Sequence, residues 1–314
     1  MKVLVTGGLG FKGSVLIPKL LKNGHKVVNV DVNWFGNFLP DSKNYELLNK
    51  SIIDLNKTDL IDVEAVIHLA SVANDPAGDL NPELTWETSA LGTMILAELC
   101  LDVGVNNFIY ASSGSVYGIQ ESENVREDLK LKPISGYNKT KMVAERVLLS
   151  YPELNATIMR PATVCGLSPR MRLDVAVNLL TFQALEHGEM TVLGGEQTRP
   201  NVHIDDITRL YVEAIENPGR YKGIYNVGFE NLSILEIAEA IARETNAKIK
   251  LLPSNDPRSY RVNSDRLLGA GFLPKFTVSD AILQLKAAYY SGSLIADERW
   301  HTTKWMKMNA IGKS

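Results

Sequence analysis

The chain has 314 residues, 45% hydrophobic and 22% charged, which suits a large core in one big domain or two smaller ones and argues against disorder. A formal net charge of -3 gives no electrostatic reason to expect nucleic acid or an anionic membrane as a partner. Cys100 and Cys165 lie in apolar stretches and read as buried free thiols in a reducing compartment, and no Cys–His spacing points to a metal. The chain opens on a strand, without the cationic start and apolar core of a signal peptide, and no apolar run reaches membrane-spanning length. The expected location is therefore cytoplasmic.

Lys2 to Thr6 is short, β-branched and bounded by glycine, as a buried strand should be. Gly7, Gly10 and Gly13 follow at a spacing of three and three, and an amphipathic helix runs on through Val15, Leu16, Leu20 and Leu21 to Gly24. Glycines permit a tight turn and let a pyrophosphate approach the backbone, while the helix start offers free N–H groups. The triplet carries weight because it follows a strand and opens a helix. The next strand, Lys26 to Asp31, ends in a carboxylate a little over twenty residues past the first glycine. Asp31 can accept hydrogen bonds from an adenosine ribose and repel a 2′-phosphate, and no basic residue follows in Val32 to Phe35, so NAD is expected over NADP.

A third strand is expected over Ser51 to Leu55, placing Asp54 within reach of the adenine, and a fourth over Glu64 to Ser71, with His68 a structural residue bonded to backbone. A long helix from about Asn81 to Val103 and a fifth strand, Phe108 to Ser113, complete an alternation that predicts a doubly wound parallel sheet. Ligands of such sheets sit beyond the C-terminal strand ends, where Gly10, Asp31, Ala70 and Ser113 fall. Next comes Tyr137, four residues before Lys141, with apolar residues at helical spacing behind the pair. An ammonium beside a phenol favours the phenolate, which otherwise forms only near pH 10. The bare spacing is common; its neighbours give it meaning.

Taken together, Thr6-Gly7-Gly8-Leu9-Gly10-Phe11-Lys12-Gly13, His68-Leu69-Ala70-Ser71, Ser112-Ser113-Gly114-Ser115-Val116-Tyr117-Gly118, Tyr137-Asn138-Lys139-Thr140-Lys141, Arg160 to Gly166 and Val202 to Asp206 resemble the extended short-chain dehydrogenase/reductase family, in its nucleotide-sugar epimerase/dehydratase branch. The resemblance runs from Lys2 to about Ala288. It implies a Rossmann-type α/β fold with a smaller mixed α/β substrate domain: residues 1–167 plus roughly 205–228 hold the cofactor, and 168–204 and 229–314 hold the substrate. It implies Tyr137 as the acid/base toward a sugar hydroxyl, Lys141 on the nicotinamide ribose lowering the phenol's pKa, and Ser113 bonded to the same hydroxyl. Implied NAD contacts are Gly7, Gly10, Phe11, Gly13, Asp31, Asp54, Leu55, Leu69, Ala70, Ser71 and Pro161, beside Tyr137 and Lys141. Asn178, Arg199 and Arg258 are the implied contacts of a nucleoside-diphosphate sugar, with Arg170 and Arg172 as further options; guanidinium forks suit a diphosphate.

The departures narrow the reaction. Gly114-Ser115 stands where 4,6-dehydratases carry an acidic pair, so epimerisation through a transient keto-sugar ranks first, with a net dehydrogenase or reductase next and a non-catalytic dinucleotide sensor last. Lys12 replaces an aliphatic residue and either meets the cofactor phosphates or points to solvent. Ser89 replaces an asparagine, and Cys165 a tyrosine with no base beside it. Gly223 to Gly228 reads as a late strand rejoining the first domain, and Ser233 with Glu236 as a capping box. The tail, Glu298 to Trp305, packs on the C-terminal lobe or on a partner subunit. The family resemblance implies a homodimer through helices at about 84–101 and 137–150.

Overall fold

The computed structural model describes residues 1–120, 122, 124–254 and 259–311. The strands are β1 (Lys2–Thr6), β2 (Lys26–Asp31), β3 (Tyr45–Asn49), β4 (Ala65–His68), β5 (Phe108–Ala111), β6 (Thr157–Pro161), β7 (Thr163–Cys165), β8 (Glu189–Leu193), β9 (Thr198–His203), β10 (Gly223–Val227), β11 (Glu230–Ser233) and β12 (Lys248–Leu252). The helices are α1 (Gly13–Lys22), α2 (Asp75–Gly78), α3 (Pro82–Trp86), α4 (Gly92–Val103), α5 (Gly136–Leu149), α6 (Ala176–His187), α7 (Ile204–Glu216), α8 (Ile234–Thr245), α9 (Asp265–Gly269), α10 (Val278–Tyr290) and α11 (Thr302–Met308).

The principal sheet has seven strands in the order β10-β6-β5-β4-β1-β2-β3, all parallel. This is the doubly wound, Rossmann-type architecture that the alternation predicts. Each face is buried, because successive side chains of a strand point to opposite sides. Val3 and Val5 of β1 pack with Leu16 and Leu20 of α1 and Leu210 of α7. Leu4 packs on the other side with Leu96 of α4 and Leu148 of α5. The late strand β10 lies at the edge beside β6 and rejoins the principal sheet. Beyond it, β7, β9 and β11 form one small sheet and β8 and β12 another. The capping box at α8 forms as expected: Glu236 N–H donates to Ser233 Oγ, and Ser233 N–H donates to Glu236 Oε2.

Two elements differ from the sequence reading. The third strand is Tyr45–Asn49, and Ile52–Asp54 is a 3₁₀ turn. Both stretches are short and mixed, and only pairing with β2 decides between them. The helix expected from Asn81 to Val103 forms, but with a π-turn, Glu87–Leu91, between α3 and α4. That turn carries Ser89, whose hydroxyl lies 3.2 Å from that of Ser71.

Candidate active site

One cavity of about 840 Å³ runs along the C-terminal ends of the central strands. Its lining includes Gly7, Gly10, Phe11, Gly13, Asp31, Leu69, Ala70, Ser71, Ser113, Tyr137, Pro161 and Arg199. The glycine loop explains itself sterically. A Cβ on Gly7, whose φ is +73°, would come within 2.7 Å of Ala70 N, and one on Gly13 within 2.4 Å of Gly8 Cα. Gly10 has only Gly7 O nearby and faces the cavity. Among the described residues no acceptor meets the amides of Phe11 and Lys12, which leaves donors for an anion at the start of α1. Asp31 is fixed at the end of β2 by Leu9 N–H and Asn33 N–H, each 2.9 Å away. These residues fit a dinucleotide: amides for its diphosphate, a carboxylate for its adenosine ribose.

The strand ends are tied by His68. Its Nδ1 lies 2.6 Å from Thr6 Oγ1 and its Nε2 2.9 Å from Thr93 Oγ1. Thr93 spends its own proton on Ser89 O, so Nε2–H donates to it. Burial brings the imidazole pKa down to about 3. His68 is structural as expected, though through threonine hydroxyls and not backbone.

At the other end stand Tyr137 and Lys141, near the start of α5. Ser113 lines the cavity with Tyr137, and its Oγ is 2.7 Å from that of Ser115, whose own proton goes to Asn138 Oδ1. Lys141 is 2% exposed, donates to Ala111 O at 2.9 Å, and lies 5.0 Å from the Tyr110 ring and 6.0 Å from the Tyr137 ring. Burial pushes the phenol up to about 12 and the ammonium down to about 7. Arg172 is a cation that pulls the phenol back, and Lys141 Nζ is turned toward the Ala111 carbonyl.

Other expected contacts lie elsewhere. Asp54 is exposed outside the cavity and Leu55 is packed in the core; Ser51, Ile52 and Ile53 form the wall instead, a consequence of the displaced third strand. Asn178 is fully buried on α6, its Oδ1 accepting from Gly166 N–H and its Nδ2 donating to Arg172 O. Its amide supports the arginine loop and does not reach the cavity. Arg258 falls outside the described residues.

The cavity also has lining that the sequence reading missed: Trp34, Phe35, Asp75, Tyr260, Thr302 and Met306. Arg170 and Arg172 line it too, with Arg172 held by Asp174 at 2.8 Å and Arg170 stacked 4.0 Å from Phe35. The Arg170-Met171-Arg172-Leu173-Asp174 alternation is a readable signal for an ordered charged loop. The tail's role is not readable locally. Trp305 Nε1 donates to Trp34 O and Trp300 packs on Phe38, so the tail lies against the loop after β2.

The model of the NAD dependent epimerase/dehydratase family matches residues 3–228. An uncharacterized UDP-glucose epimerase of Bacillus subtilis is 29% identical over 273 residues, covering 80% of this chain and 84% of that protein. UDP-glucuronic acid decarboxylase 1 of Danio rerio is 30% identical over 284 residues, 83% of this chain and 65% of the longer relative. The structure of UDP-glucuronic acid 4-epimerase from Bacillus cereus, in complex with UDP-glucuronic acid and NAD, superposes with a TM-score of 0.82 at 28% identity, covering 93% of this chain and 99% of that one. The chain is thus a member of the NAD dependent epimerase/dehydratase family, an enzyme whose cofactor is NAD.

Proposed function

We propose that the protein is an NAD-dependent epimerase of a nucleoside-diphosphate sugar, working through a transient keto-sugar. The observation that carries this is that Tyr137 and Ser113 line the same cavity as Asp31 and the glycine loop, with Lys141 Nζ 6.0 Å from the Tyr137 ring. NAD, when bound, accepts and returns the hydride. Tyr137 takes the proton of the sugar hydroxyl and gives it back, with Ser113 orienting both oxygens. Lys141, whose Nζ lies 6.0 Å from the phenol ring, supplies a donor for the cofactor ribose. Arg199, on the substrate side of the cavity, pairs with the diphosphate of the sugar nucleotide. Gly114 and Ser115 offer no acid or base for eliminating water at that position.

Incubation with a panel of sugar nucleotides tests the reading. The expected result is an interconverted sugar with no net NADH; steady accumulation of NADH would make the protein a dehydrogenase. Tyr137→Phe is expected to lower turnover about a hundredfold or more while NAD still binds. A homodimer through the exposed faces near Trp86, Leu91 and Leu149 belongs to the same proposal, and light scattering giving a monomer mass would refute it.

A further inference from the structure

Lys12 is the residue of the glycine loop that the function above does not use. It lines the cavity that Tyr137 lines, its Nζ lies 5.9 Å from the ring centroid of Tyr211 on α7, and among the described residues no acceptor or carboxylate is bonded to it. Glu145 is held by Arg160 at 2.6 Å and Asp174 by Arg172 at 2.8 Å, while Asp75, also on the cavity wall, accepts from Ser135 Oγ. Lys12 and Lys141 are thus the cations of this end that no carboxylate holds among the described residues. We propose that Lys12 is a further electrostatic residue of the hydride-transfer site, where its ammonium disfavours the cationic oxidised nicotinamide relative to the neutral reduced one.

The proposal rests on the reading of Tyr137 as the proton-transfer group, because that reading places the nicotinamide at this end. The place of Lys12 on the cavity wall shared with Tyr137, with no acceptor bonded to it among the described residues, carries it, and three points support it. The amides of Phe11 and Lys12 and the start of α1 already provide for the diphosphate, so the side chain is not needed there. The charge is felt at the reactive end, since Lys12 helps hold the Lys141 ammonium at about 7. Burial and Arg172 bring Lys12 itself only to about 8, so it is largely protonated at pH 7. A fixed cation makes the ring a better hydride acceptor, while the proton leaves to Tyr137 and both return in the second half-reaction.

The test compares affinities for NAD+ and NADH in cofactor-free protein at pH 7, by calorimetry and by NADH fluorescence. In Lys12→Met the ratio of the NAD+ to the NADH dissociation constant is expected to fall about tenfold, the order of one partly screened charge, and in Lys12→Arg to stay near wild type. An equal loss of both affinities would assign the charge to the diphosphate and overturn the proposal, as would no change in either. Lys12→Gln gives the same reading should the methionine variant fail to fold. Wild-type protein that binds both forms but does not epimerise would remove the function proposed above and leave the affinity ratio still measurable.

Discussion

Lys141 is costly in the folded chain near neutral pH, and Tyr137 becomes so only above about pH 10. Burial disfavours the charged form of each, and for Lys141 the folded pKa of about 7 lies well below the usual lysine value. The sign follows: the unfolded chain binds this proton up to about pH 10.5 and the folded chain only up to about 7, so this residue makes stability rise with pH between those limits. Lys141→Met is therefore expected to raise the melting temperature of cofactor-free protein at pH 7 by a few degrees and to flatten the rise toward pH 10, while turnover is lost. Thermal scans of both proteins across pH 7–10 check it, and an unchanged difference across that range would refute it. The common face of the pair was legible from a four-residue spacing, while its meaning came from the surrounding motifs. The charge environment was not, because Arg172 approaches the phenol from a loop thirty-five residues further along the chain.

At the scale of elements, α5 is held against the sheet by a buried ion pair. Glu145 accepts from Ser112 Oγ, which follows β5, and from Arg160 on β6. Arg160 in turn donates to the Tyr117 hydroxyl, which donates to Asn226 on β10. Removing one charge strands the other in the core, so Glu145→Gln is expected to cost about 3–5 kcal/mol in chemical denaturation. Because the same helix carries Tyr137, turnover should fall as well, whereas a paired apolar replacement of Glu145 and Arg160 should recover stability without recovering rate. The elements themselves were readable where the pattern is long: the glycine loop, α1, β2 and α5 all follow from periodicity and capping. The third strand was not, because two short stretches compete and only the partner strand chooses. That shift carried Asp54 and Leu55 out of the cavity.

For the whole molecule, the tail joins the two ends of the chain. Thr302 accepts from Arg170 and Met306 lines the cavity beside Trp34 and Phe35, close to the end where Asp31 stands. Deleting residues 297–314 is expected to speed NAD release at least about tenfold, since buried apolar wall at that end would be exposed. Cofactor retained after gel filtration and the release rate by stopped flow measure this; full retention would refute it. Among the described residues no helix is long and apolar enough to cross a membrane.

The strand–helix alternation, the glycine spacing and the carboxylate at the end of β2 determined by themselves the doubly wound sheet and the cofactor class, because each depends on backbone geometry within a short stretch. That Arg172 stands on the cavity wall with the phenol, why Asn178 turns inward and how the tail lines the cavity were decided only in the tertiary structure. Those contacts join segments a hundred or more residues apart or set one loop against another, and no local period in the chain encodes them.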